Sequence, residues 1–152
     1  MVSAVQVPAD MLINKLAKHL KESVNEITPH EWAFYSKTGT NRERPPETFD
    51  WWYIRAASIL RRLYKDGPVG VERLRVYYGG SKRRGSMERV FKKGSGSIQR
   101  KIFQQLEKAG LVQKTVKGRI LTAKGISLLD KIAYEVFQEL LKDNPEIEKY
   151  RG

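Results

Sequence analysis

Along residues 49–65, Trp52, Ala56, Ile59, Leu60 and Leu63 recur at i, i+4, i+7, i+8 and i+11. A strand would scatter these side chains over both faces, whereas an α-helix lines them up in one stripe. Such a stripe has to be covered by other elements, which makes this helix the expected centre of the fold. Gly67-Pro68 stops it, because glycine accepts the turn at a helix end and proline cannot continue the helix. Arg61 falls nearly opposite the stripe, and Arg55 and Arg62 flank it.

The other elements are expected on similar grounds. Leu12, Ile13, Leu16, Ala17 and Leu20 predict a helix over 9–23. Thr28-Pro29-His30-Glu31 reads as a capping box with proline at the first helical position, so a short helix carrying Trp32 and Phe34 should follow. Residues 36–47 read as loop, ending in Pro-Pro. A fourth helix is expected over 69–78. A fifth, over 97–109, would turn Ile98, Ile102, Leu106 and Ala109 inward and Ser97, Arg100, Lys101, Gln104 and Lys108 outward. Residues 111–121 alternate around a turn at Lys117-Gly118 and predict a β-hairpin. Thr122 caps a long last helix, which Asn144-Pro145 ends, and a short polar helix follows.

Between the fourth and fifth helices lies GSKRRGSMERVFKKGSG, residues 80–96, with six Lys/Arg against the single acid Glu88. Like charges this dense repel and glycines are costly to order, so the stretch reads as a basic loop that a polyanion would settle. The expected fold is thus mainly α (α+β): a helical bundle around a central amphipathic helix, with a winged-helix-like part and one β-hairpin. It forms a single domain over 1–152, with the bundle at about 9–142 and a C-terminal extension at 143–152.

Charge placement narrows the function. The net charge is +12. Residues 73–119 hold 14 Lys/Arg against only Glu88 and Glu107, while residues 1–72 carry 10 against 9 and residues 120–152 carry 5 against 6. An excess so concentrated is a footprint for a polyanion, nucleic acid first. No segment has the apolar length of a membrane span, and no stretch has the large apolar face of a surface-inserting helix. With no cysteine, disulfides, thiolate nucleophiles and Cys-ligated zinc are excluded, and a cytoplasmic location is expected. His19 and His30 have no neighbouring ligands, and the phosphate-loop and nucleophile-elbow motifs are missing. No catalytic group, metal, cofactor or small-molecule substrate is expected.

A helix pair, a hairpin and a capped helix follow the order of a winged-helix domain, with residues 97–109 as its recognition element. That fold alone leaves three partners open: RNA, DNA bound by a transcription regulator, or protein bound through the wing. Gln99, Gln104 and Gln105 are compatible with base reading. The basic glycine-rich stretch ahead of the helix is awkward for a groove-docking DNA module, and a protein adaptor leaves the charge unexplained.

Trp51-Trp52-Tyr53-Ile54-Arg55-Ala56-Ala57-Ser58-Ile59-Leu60-Arg61 is followed by Tyr77-Tyr78-Gly79-Gly80, by Lys93-Gly94-Ser95-Gly96-Ser97 and by Leu121-Thr122-Ala123-Lys124-Gly125. In this order the segments resemble the eukaryotic-type "S nineteen" family of the small ribosomal subunit, shared by archaea and eukaryotes, with the acid-poor loop suiting the archaeal branch. The likeness runs from Val5 to Leu140. It implies a constituent of the small (30S) subunit seated on ribosomal RNA in the subunit head, with neighbouring ribosomal proteins as further partners and a role in subunit maturation. It also implies functional roles for Arg55, Arg61, Arg100 and Arg119; charge placement alone already points to Arg100 and Arg119.

The expected recognition is of shape and phosphate. Arg55, Arg61, Arg62, Arg83, Arg84, Arg100 and Arg119 would fork onto phosphate oxygens, and Lys82, Lys92, Lys93 and Lys101 would add less directional charge. Gly79, Gly80, Gly85, Gly94 and Gly96 would let the backbone approach RNA. Tyr77 or Tyr78 would stack on an unpaired base or else pack as core or rim. Arg55 reads equally well as an architectural brace at a helix junction. Trp52 is expected in the core, and Trp51 is ambiguous. The free protein is expected to be a monomer.

Overall fold

The computed structural model describes residues 2–150. Its elements in order are α1 (Ala9–Ser23), a 3-10 turn (Glu31–Phe34), α2 (Trp51–Asp66), α3 (Val71–Tyr77), β1 (Gly80–Arg84), β2 (Met87–Lys92), α4 (Gly96–Lys108), β3 (Val112–Thr115), β4 (Gly118–Leu121), α5 (Ala123–Asp143) and a closing 3-10 helix (Pro145–Tyr150). The mainly helical expectation holds, and the central helix forms as its stripe requires.

Trp52, Ala56, Ile59, Leu60 and Leu63 are all buried. Helix α2 packs on α1, α5 and β4. Trp52 is fully buried, and its indole N–H donates to Gln105 Oε1 at 2.8 Å. The Gln105 amide in turn donates to the Thr28 carbonyl at 2.6 Å. One satisfied polar chain therefore ties α2, α4 and the 24–30 connection together, which is how a buried indole N–H avoids a desolvation cost. His30, Trp32 and Trp51 close around the Trp52 ring at centroid distances of 5.7, 5.7 and 5.4 Å. The N-terminal segment also joins the core, through Val2, Ala4 and Val7. Helix α5 is capped as expected, Thr122 Oγ1 accepting from Gly125 N at 3.2 Å.

The winged-helix-like part is built from α3, α4 and the β3–β4 hairpin. Val69 and Arg119 exchange backbone hydrogen bonds of 3.1 and 3.0 Å, so the start of α3 is sewn to the hairpin. The β3–β4 pairing runs from Val112 with Leu121 to Thr115 with Gly118, which moves the turn to Val116-Lys117, ahead of the expected Lys117-Gly118.

Two local expectations are corrected. Most of the 80–96 stretch is a second antiparallel hairpin rather than a loop: it spans residues 80–92, with Gly80 opposite Lys92, Lys82 opposite Val90, and the turn made at Gly85. The fold therefore has two hairpins where one was expected. The capping box at Thr28 does not form either: His30 is extended (ψ 156°) and makes no side-chain cap, leaving a single 3-10 turn.

Candidate nucleic-acid interface

The basic residues fall into three groups. The first lies on the flank of α2. Arg55, Ser58 and Arg62 sit at i, i+3 and i+7 and face the end of α3 and the tyrosine that follows it. The Arg55 guanidinium lies 3.9 Å from the Tyr78 ring centroid, and that of Arg62 lies 4.1 Å from the Tyr77 ring centroid. Ser58 Oγ and the Tyr78 hydroxyl are 2.7 Å apart, and the two tyrosine rings meet edge to face at 4.9 Å. Arg62 is also paired with Asp66 one turn along. Arg55 differs, because no carboxylate comes within ion-pair distance of it among the described residues. Burial lowers the pKa of its guanidinium, and the charge of Arg42 lowers it further. Burial raises that of the Tyr78 hydroxyl. Arg61 is half-buried, and its Nε is buried without a hydrogen-bond partner.

The second group is exposed. Ser97, Arg100, Gln104 and Lys108 follow one another along the solvent side of α4, with Lys101 half-buried beside them. Opposite them Ile98, Ile102, Phe103 and Leu106 are buried. On the β1–β2 hairpin Arg83, Arg84, Arg89 and Lys92 are exposed and Lys82 is half-buried. Arg84 Nε donates to the Glu88 carbonyl at 2.9 Å, which ties down that side chain across the turn. Arg89 carries the same exposed charge, although it is not among the residues expected from the sequence.

The third group is engaged within the chain. Arg119 pairs with Glu107 at 3.1 Å and lies 5.1 Å from the Phe103 ring centroid, bracing β4 against α4. Lys93 pairs with Glu72 at 3.1 Å, as does Arg75 at 2.7 Å, and the two cations lower the Glu72 pKa. The glycines too have neighbours inside the chain. A Cβ on Gly79 would stand 2.6 Å from the Lys92 carbonyl oxygen, one on Gly80 2.7 Å from the Asn41 amide, one on Gly94 2.9 Å from the Tyr78 carbonyl oxygen, and one on Gly96 3.0 Å from the Arg75 side chain. Gly85 has nothing within 4 Å.

Base reading from α4 is limited. Gln99 is fully buried and Gln105 holds Trp52, so of the three glutamines only Gln104 is exposed. Sequence reasoning also passes over Arg42 and Arg44. Both are exposed and line a cavity of about 550 Å³ together with Pro45, Trp51, Arg55 and Tyr78. A count of charges hides them, because Glu43 and Glu47 offset the two arginines. Among the described residues no group of three His, Asp or Glu converges to hold a metal ion, and no helix is long and apolar enough to cross a membrane.

Comparison with known proteins identifies the family. The family model described as Ribosomal protein S19e matches residues 3–139. The chain is 52% identical over 152 residues to "Small ribosomal subunit protein eS19" of Aeropyrum pernix, covering 99% of each chain. It is 47% identical over 150 residues to the protein of that name in Thermoplasma volcanium, again covering 99% of each. It is 44% identical over 138 residues to "Small ribosomal subunit protein eS19G" of Ascaris suum, covering 90% of this chain and 93% of that one.

Proposed function

The chain belongs to the ribosomal protein S19e family, and from that premise we propose that it is a non-enzymatic, structural constituent of the small ribosomal subunit. It enters the cytoplasmic ribosome as a single copy, is a monomer beforehand, binds ribosomal RNA in the subunit head, contacts neighbouring ribosomal proteins and assists subunit maturation. The observation that carries the RNA reading is the unneutralised charge on adjoining elements: Arg100, Lys101 and Lys108 on α4, and Arg83, Arg89 and Lys92 on the hairpin that leads into it. Counter-ions released from phosphates by such side chains supply affinity that salt weakens, and the positions of the arginines set the register. The DNA-regulator alternative is set aside, because the relatives are ribosomal and two of the three glutamines it relied on serve the core.

The test is sedimentation of a native lysate through sucrose gradients at low and raised salt, with the protein quantified by mass spectrometry. Near one copy per small subunit, retained at moderate salt, is the expected result. A slow pool free of ribosomal RNA would overturn the proposal. In the same assay Arg61→Glu with Arg100→Glu should abolish incorporation of a protein whose circular dichroism shows it folded.

A further inference from the structure

No exposed charged residue of α4 or of the β1–β2 hairpin lines the cavity between the N-terminal half of α2 and the 38–48 loop, although Arg42 and Arg44 also border a groove with Arg83 and Arg89 of that hairpin. Its rim carries Arg42 and Arg44, and its wall carries Arg55, Trp51, Tyr78 and Pro45. Its volume of about 550 Å³ is in the range of small-ligand pockets, roughly 300–1,000 Å³. Among the described residues Arg55 has no anionic partner. Its guanidinium nevertheless lies over the Tyr78 ring, and that ring is fixed through Ser58. A partly desolvated cation without an anion is costly in a free protein and becomes favourable once a ligand brings the charge. A guanidinium fixed over an aromatic ring is also a ready platform for a planar base.

We propose that this cavity receives one unpaired nucleotide of the bound RNA, its phosphate against Arg42 and Arg44 and its base against Arg55 and Trp51. The inference rests on the RNA-binding reading above and adds a second contact to it. The occupant is a nucleotide rather than an acidic peptide because the wall offers flat surfaces, from Trp51 and from the Arg55 guanidinium that covers Tyr78, as well as charge. Glu47, also in the lining, leaves the site cationic and opposes a partner rich in carboxylates. The site gives a role to two arginines that neighbouring acids conceal in a charge count, and to a half-buried arginine that no acid of the described residues pairs with.

The full-length protein, labelled for arginine Nε–H and tryptophan indole signals, is titrated with each ribonucleoside 5′-monophosphate, with inorganic phosphate and with a short glutamate-rich peptide. Small-subunit ribosomal RNA binding is measured in parallel. At least one mononucleotide should shift the Trp51 and Arg55 signals. Arg55→Lys, which keeps the charge and loses the plane, should weaken that binding about tenfold or more. Arg42→Ala with Arg44→Ala, both at exposed positions, should weaken it similarly without touching the core. If phosphate acts as well as any nucleotide, or only the peptide moves these signals, or no ligand does, the nucleotide site is wrong. Retained RNA binding would then confine the failure to this cavity, and lost RNA binding would remove the ribosomal-RNA reading with it.

Discussion

The Arg55 guanidinium lies over the face of Tyr78 at 3.9 Å from its centroid, while the hydroxyl of the same tyrosine is held 2.7 Å from Ser58 on the next turn of α2. The cation is thus fixed in place without being neutralised. A brace and a ligand site make opposite demands on such a residue. A brace adds stability to the free protein. A site for an incoming anion holds a charge that the free protein would be as stable without.

Arg55→Met separates the two. It keeps the aliphatic stem over Tyr78 and removes the charge. The expected outcome is a urea-unfolding free energy unchanged or raised by up to about 1 kcal/mol, since replacing a poorly compensated buried charge by an apolar group is often neutral or stabilising. Incorporation into the small subunit should fall in the same variant. A loss of more than about 1 kcal/mol would make Arg55 an architectural residue, because the cation–π contribution of a partly buried pair is about 1–2 kcal/mol.

Gly118→Ala should destabilise the winged part. Gly118 has φ of 138°, where a side chain is strained, and a Cβ there would stand 2.9 Å from the Val69 carbonyl carbon. Both effects disturb the Val69–Arg119 backbone pair that joins α3 to the hairpin. A loss of about 2–4 kcal/mol in chemical unfolding is expected, in the range for strained backbone positions and overpacked contacts. Alanine at Gly70, where an added Cβ would meet nothing within 4 Å and φ is an ordinary −94°, should cost well under that.

Residues whose environment is set by nearby spacing are legible in the sequence, and residues set by distant partners are not. The stripe on α2, the α1 helix and the Thr122 cap need only a window of a dozen residues, and each forms. The β1–β2 hairpin escapes a sequence reading because its strands lack alternation. Every β2 residue is exposed, so no face is apolar and the pairing rests on backbone bonds around Gly85. Gln99 and Gln105 read as available amides, but one points into the core and the other serves an indole far along the chain. Arg119 reads as a free cation because nothing in its own strand reveals Glu107 on α4.

The α1–α5 contact should show a pH window. Lys15 donates to Glu139 at 2.7 Å and lies 3.5 Å from Glu135. The hydrogen bond to Glu139 raises the Lys15 pKa above 10.5, and the same bond lowers the Glu139 pKa below 4.5. A raised lysine contributes stability that is present below its unfolded value and lost as pH climbs through the folded one. A depressed carboxyl contributes stability present above its unfolded value and lost as pH falls through the folded one. The wild type should therefore exceed Lys15→Met by a constant, small margin between those limits. The margin should shrink on the acid side below 4.5 and on the alkaline side above 10.5. Thermal melts across pH check this, and added salt should narrow the margin because both groups are substantially exposed.

Arg100 and Arg119 have the same side chain and should fail differently. Arg100 is exposed on α4 with no ion pair among the described residues, so Arg100→Glu should leave unfolding within about 0.5 kcal/mol of wild type. It should weaken RNA binding, and the slope of log affinity against log salt should shallow by about 1 if the residue makes one phosphate contact. Arg119→Glu instead places a carboxylate against Glu107 across the α4–β4 junction, where both side chains are mostly covered. Its main effect should be on stability, a loss of about 2–4 kcal/mol from a broken pair and a new repulsion. Restoring opposite charges with Glu107→Arg in the same chain should recover part of that loss. RNA titrations over a salt series, run beside chemical unfolding of the four proteins, give both readouts. A steeply destabilised Arg100→Glu, or an Arg119→Glu protein of full stability that no longer binds RNA, would reverse the roles of the two arginines.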